Sequence, residues 1–189
     1  MESWNHKILK EKAIQWLWTR KKCRHISTEV KIGKYIFDVI GSDGRCVYII
    51  EAKQDINDFL RECNRIEDIK ENIEKYKNEL YINGDKELYR DKVKKERNKG
   101  IKFYDDSLLK LSSSRYIIAP DGMIKDVPEN WGLINEEPRQ LKECKNNKID
   151  KSVVERVIRY IGKRNTKKYL ESIDVIFNKQ IEWPNRDIV

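Results

Sequence analysis

The chain has 189 residues and a mass of 22.7 kDa, and its 40 Lys and Arg against 32 Asp and Glu leave a formal net charge of +8. That size suits one domain, or one domain with an appendage. The cationic excess favours a polyanionic partner, with a solvated lysine-rich surface as the plain alternative.

No apolar run approaches the ~20 residues of a membrane span, so no membrane partner is expected. The opening MESWNHKILKEKA lacks the apolar core of a secretory signal. Cys23, Cys46, Cys63 and Cys144 are scattered without a CxxC pair. They read as free thiols of a reducing cytoplasm rather than as zinc ligands.

In chain order, His6 to about Lys21 reads as a helix whose apolar stripe is Leu9, Ala13, Trp16 and Leu17, with Glu11 on its flank. His25 to Ile32 reads as a strand. Tyr35 to Ile40 and Cys46 to Ala52 form a strand pair, joined at Asp43-Gly44 by what the sequence predicts as a two-residue turn. Asp55 is an N-cap for a long helix running to about Tyr81, with Gly84 as its terminator. The stripe of that helix, from Ile56 and Phe59 through Ile66 to Leu80, reads as packing on the sheet, with a homodimer seam as its alternative use. Glu87 to Lys102 is strongly basic, and includes Lys94, Lys95 and Arg97.

Ser114 to Ala119 is a further strand, ended by the turn Pro120-Asp121-Gly122. A return segment ends near Trp131 to Ile134, and Arg139 to Glu143 reads as a last edge strand. Asp150 then caps a helix with Val154, Val157 and Ile161 on one face and Arg156, Arg159 and Lys163 toward the other. A separate final helix is expected from Thr166 to Phe177. The fold class expected is α/β: a mixed sheet with a β-meander, flanked by helices. Residues 1–165 form the domain, about 82–112 a basic insertion, and 166–189 a C-terminal helical extension.

The chemistry concentrates in YIFDVIGSDGRCVYIIEAKQDIND, residues 35–58. A two-residue turn sets Ile36, Asp38 and Ile40 on the face of Val47, Ile49, Glu51 and Lys53. Two carboxylates and an ammonium on one apolar face are costly unless paired or bound to metal. Carboxylates are hard ligands suited to Mg2+, with Mn2+ able to substitute, and the Ala52 carbonyl offers a further donor. Lys53 stands where it can orient a water or stabilise charge on a phosphoryl centre. The rival reading is an Asp38–Lys53 salt bridge at a sheet edge. His6 and His25 read as surface or packing residues, and Ser112 to Ser114 as a loop rather than a nucleophile.

The helix, strand, D…ExK strand pair and following helix resemble the PD-(D/E)xK nuclease superfamily, with its restriction-endonuclease-like core. The chain is most similar to the MmcB-like family of DNA-repair nucleases. That likeness rests on FDVIGSDGRCVYIIEAKQDINDF, on SRYIIAPDGMIKDVPENWGLI and on the C-terminal basic helix, over most of residues 6–165. The resemblance implies Asp38 and Glu51 as metal ligands and Lys53 as the catalytic lysine. It also implies an acidic residue from the first helix or strand, Glu11 first and Glu29 second. Phe37 stands where the motif name has Pro, and Gln54 where these relatives more often carry Ser.

The expected activity is a Mg-dependent deoxyribonuclease, an endonuclease of repair, recombination or genome defence, with RNA left open as a substrate. Lys94, Lys95, Arg97, Arg156 and Arg159 are the expected nucleic-acid contacts. The alternative is a non-catalytic nucleic-acid-binding module on the same fold.

Overall fold

The computed structural model describes residues 3–97, 103 and 106–180; the side chains of 64–67, 70, 83, 94–97, 106 and 173–180 also lie outside that description. Helix α1 (Trp4–Thr19) precedes strands β1 (His25–Ile32), β2 (Tyr35–Ser42) and β3 (Val47–Ala52). Helices α2 (Ile56–Asn83) and α3 (Lys86–Arg97) and a 3-10 turn (Asp106–Lys110) follow. Strands β4 (Ser114–Ala119), β5 (Gly132–Asn135) and β6 (Gln140–Lys142) and helix α4 (Lys151–Gln180) complete the order.

The six strands lie in one sheet in sequence order. β1, β2 and β3 form an antiparallel meander; β3, β4 and β5 are parallel; β6 returns antiparallel. A parallel neighbour for β3 needs a crossover connection, and α2 with the segment after it supplies one. The α/β class and the mixed, helix-flanked sheet are therefore as expected.

Each face of the sheet has its own core. Leu9, Ala13, Trp16 and Leu17 of α1 cover Val39, Ile50, Tyr116, Ile118 and Ile134. On the other face Val154, Val157 and Ile161 of α4, which packs on β1 and β2, join one core with Ile40, Ile49, Ile117, Leu133, Phe59 and Phe103. β3 and β4 are buried along their whole length, as central strands covered on both faces must be.

The caps of α2 fall where the sequence placed them. The Asp55 side chain accepts the Asn57 N–H at 2.6 Å, and Gly84 ends the helix at φ 68°, a left-handed conformation that suits glycine. The stripe of α2 packs differently from expectation. Phe59 is buried and Cys63 leans on the core, but Ile56 and Leu60 are exposed. Farther along, α2 packs on α3, where Lys92 bonds Glu79 at 2.6 Å and lies 5.1 Å over the Tyr76 ring.

Two further differences concern connections. α4 is one 30-residue helix, with no break near Thr166. Within the basic stretch between α2 and β4, Phe103 and Leu108 are core residues, and the Phe103 carbonyl accepts the Trp131 indole N–H at 2.9 Å. No helix among the described residues is long and apolar enough to cross a membrane. Among the described residues no cysteine is in a disulfide.

Candidate functional site

The loop between β2 and β3 sets the register of the D…ExK pair. It is four residues long, Asp43 to Cys46, because Ser42 pairs with Val47. The Asp43 side chain explains the extra length: its Oδ1 accepts the N–H groups of Arg45 and Cys46 at 2.8 and 2.7 Å, building an Asx turn. Relative to the two-residue turn expected, the register moves by two. Parity is kept, and the pairing ends at Val39–Ile50, one step short of Asp38 and Glu51.

Strand alternation also changes sense at this point. Tyr35 and Phe37 join the α4-side core, Val39 joins the α1-side core, and Ile40 returns to the α4 side. Strand β1 does the same: Ile26 packs on the α1 side, yet Val30 and Ile32 pack on the other. The residues at the two switches face each other, since Thr28 pairs with Val39 and Val30 with Phe37, leaving Glu29 across from Asp38. Glu29 has φ 56°, a left-handed conformation uncommon for a residue with a side chain. Ile36, expected on the face of Ile40, is 52% exposed instead.

Asp38 therefore does not stand on the face with Ile40. Its carboxylate lies in the gap between β2 and β3, where Oδ2 accepts the Ala52 N–H at 2.9 Å. Glu51 follows Val47 and Ile49 onto the α4-side face and is 1% exposed. Lys53 follows it, 7% exposed, with Nζ 5.6 Å over the Phe103 ring. Glu51 and Lys53 thus share a face as expected, and Asp38 reaches the residue between them from the side.

Four partners of this trio were not foreseen. Lys53 donates to Asp58 Oδ2 at 3.1 Å and to Glu62 Oε2 at 2.6 Å, both on α2. Burial works against the Lys53 charge, but Glu62 and then Asp58 outweigh it and hold the ammonium above its ordinary pKa. On the other side α1 brings His6 Nε2 to 3.5 Å from Asp38 Oδ2, and Lys10 Nζ to 3.9 Å from Asp38 Oδ1. The Ser3 hydroxyl, which caps α1, donates to Gln54 beside Lys53.

Glu11 is a correction. It is exposed on α1. At about 100° per residue it lies about 160° round the helix from buried Ala13. The α1 residues that reach Asp38 are His6 and Lys10, one turn apart. The second candidate, Glu29, does reach the site through Lys10, which it bonds at 3.1 Å.

Hydrogen bonds account for the serines before β4. The Val47 N–H donates to Ser113 Oγ at 3.1 Å, and Ser114 bonds Asn146, so these buried hydroxyls fix the start of β4. Of the expected nucleic-acid contacts, Lys94, Lys95 and Arg97 have side chains outside the described residues. Arg156 and Arg159 are exposed on α4. Arg156 joins two surface clefts, one of about 280 Å³ that includes Lys34, Tyr35 and Lys110, and one of about 250 Å³ with Arg159, Tyr160 and Lys163.

For a divalent cation the donors on hand are the Asp38 and Glu51 carboxylates and the Ala52 carbonyl. Among the described residues no three His, Cys, Asp or Glu side chains gather at metal-ligand spacing. Magnesium is commonly held by one or two carboxylates, with substrate phosphate and water completing its shell. Carboxylate and carbonyl oxygens are donors of the type that habit uses.

No protein-family model matches the chain, and no curated protein matches it in sequence. Among solved structures it is similar to SPO1766, a protein of unknown function from Silicibacter pomeroyi, with TM-score 0.57 and 10% identity over 98% of this chain and 100% of that one. At that identity the likeness concerns the fold alone.

Proposed function

We propose that this chain is a metal-dependent nuclease of the PD-(D/E)xK type, most similar to the MmcB-like family, hydrolysing phosphodiester bonds in DNA. One observation supports the reading best: the Asp38 carboxylate accepts the N–H of Ala52, the residue between Glu51 and Lys53 in the chain, at 2.9 Å. Glu51, the residue before Ala52 on β3, is 1% exposed.

Asp38 and Glu51 would hold Mg2+, with Mn2+ as a substitute. When bound, the metal supplies Lewis-acid polarisation of a phosphoryl oxygen and a more acidic water. Lys53 would orient the nucleophile or stabilise charge on the phosphoryl group. To do so it must exchange at least one of its α2 carboxylate partners for substrate. The basic clefts meeting at Arg156 supply counter-charge for a phosphate backbone, which supports a nucleic acid as substrate. Repair, recombination or genome defence in the cytoplasm is the matching context.

The test is Mg2+-dependent cleavage of labelled duplex, branched and single-stranded DNA by wild type and Lys53→Ala. The proposal requires cutting by wild type and none by the variant, with DNA binding kept. Equal cutting by both removes Lys53 from the chemistry.

A second reading has its own observation. Lys53 is fully engaged by Asp58 and Glu62, as it would be in a non-catalytic nucleic-acid-binding module. In that case DNA affinity falls steeply with salt, and magnesium changes little.

A further inference from the structure

Lys10 lies on the buried stripe of α1, 6% exposed, between two acids from adjacent strands. Its Nζ is 3.1 Å from Glu29 Oε1 and 3.9 Å from Asp38 Oδ1. Glu29 is fixed from its other side as well: Arg164 Nη2 of α4 bonds Oε2 at 2.9 Å. Next to it, Lys168 bonds the Thr28 hydroxyl. The left-handed backbone at Glu29, φ 56°, aims this carboxylate between α1 and α4. The hydrogen bond from Lys10 is the chief cause that holds the Glu29 carboxyl below its ordinary pKa, so it stays ionised.

A divalent cation at Asp38 would meet the Lys10 charge at close range, and like charges a few ångströms apart repel strongly in a shielded site. Lys10 therefore needs a second anion to which it can withdraw. Glu29 is already in contact with it and already ionised. His6, 3.5 Å from Asp38 Oδ2, is a second basic group facing this carboxylate.

We propose that Lys10 is the site's surrogate cation: it neutralises Asp38 when no metal is bound, and withdraws wholly onto Glu29, braced by Arg164, when a divalent ion arrives. Lys10 and Glu29 are positioning residues in this account, and neither is a ligand. The proposal rests on Asp38 being a metal ligand. It makes a signed statement: Lys10 opposes metal binding and Glu29 assists it.

The experiment is Mn2+ titration of the full chain by calorimetry at neutral pH and fixed ionic strength. Wild type is compared with Lys10→Met, Glu29→Gln and Asp38→Asn. Lys10→Met keeps the aliphatic stem and removes the competing charge, so Mn2+ should bind about tenfold tighter; Glu29→Gln should bind it about tenfold more weakly. Thermal melts give a second readout. In EDTA Lys10→Met should melt below wild type, because Asp38 and Glu29 each lose one cationic neighbour, and Mn2+ should raise its Tm by more than it raises that of wild type.

If wild type binds Mn2+ and Asp38→Asn does not, but Lys10→Met and Glu29→Gln bind as wild type does, the surrogate role is overturned and the carboxylate site stands. If wild type binds no Mn2+, the metal-site reading falls and takes this proposal with it. Should Lys10→Met fail to fold, Glu29→Gln decides alone, since Glu29 is half-exposed and tolerates the neutral isostere.

Discussion

Lys53 Nζ lies 2.6 Å from Glu62 Oε2, so the lysine of the ExK strand is joined to the first turns of α2. The two side chains differ in exposure, 9% for Lys53 and 19% for Glu62, and the second acid, Asp58, is 51% exposed. Removing either end of the pair therefore has unequal consequences.

Glu62→Gln leaves a buried ammonium with only a half-exposed partner, and should cost about 1–2 kcal/mol. Lys53→Met should cost less, because both carboxylates can turn toward water. Urea melts of the two variants check the order. The folded-state pKa of Lys53 is raised, so the pair's contribution is complete below the pKa of an unfolded lysine and is lost only as pH rises through the higher folded value. Across the neutral range the difference between the variants should be independent of pH.

A Cβ added at Gly132 would stand 2.5 Å from Tyr116 Cδ1 and 2.7 Å from the Lys142 carbonyl oxygen. Both neighbours are fixed, one a buried ring and the other β6 backbone. Gly132→Ala should destabilise by about 1–3 kcal/mol through overpacking. Gly162 is its internal control: it lies in α4 with nothing within 4 Å of an added Cβ. Gly162→Ala should raise stability by about 0.5–1 kcal/mol. Thermal melts of both variants test the pair of signs.

Phe103 ties the stretch between α2 and β4 to the domain. Its ring meets Trp131 at 5.0 Å and Phe59 at 5.8 Å, and it is 2% exposed. Phe103→Ala should cost about 3–5 kcal/mol, the usual loss for a buried aromatic. Near-ultraviolet circular dichroism should report the changed surroundings of Trp131 before the sheet unfolds.

Burial pushes the Cys23 thiol up to about 12, the Asp43 charge adding to the effect. Cys144 is buried as well, and its thiol donates to the Asn130 carbonyl at 3.1 Å. Native protein at neutral pH should therefore react with a disulfide reagent only at half-buried Cys46 and Cys63, with all four thiols titrating once it is unfolded.

Local signals carried much of this fold. Asp55 and Gly84 bounded α2 because caps are local chemistry, and Ser114 to Ala119 was legible as an apolar run closed by Pro-Asp-Gly. The β2–β3 register was not, because Asp-Gly is a strong two-residue turn signal and the competing Asx turn depends on where the Asp43 side chain folds. The switch of faces at Asp38 and Glu29 was hidden for a similar reason: period two is a rule for regular strands, and both strands depart from it where left-handed Glu29 lies across from Asp38.

Lys10 did have a signal. It falls among Leu9, Ala13 and Leu17 on the buried stripe of α1, and a charge on an apolar stripe asks for a partner. His6 read as a surface or packing residue because no second His stands at metal-ligand spacing; its partner Asp38 comes from another element. Glu62 had no signal in the sequence, since the reach of Lys53 onto α2 depends on how that helix leaves β3.

The central claim is that Asp38 and Glu51 form a metal site serving phosphodiester cleavage. The most direct test titrates Mg2+ and Mn2+ into wild type and Asp38→Asn, by calorimetry and in parallel by cleavage of a mixed set of labelled DNA structures. The account predicts metal binding and metal-dependent cutting in wild type, and the loss of both in the variant. Metal binding by neither protein, with DNA present, would contradict it and make the two carboxylates structural.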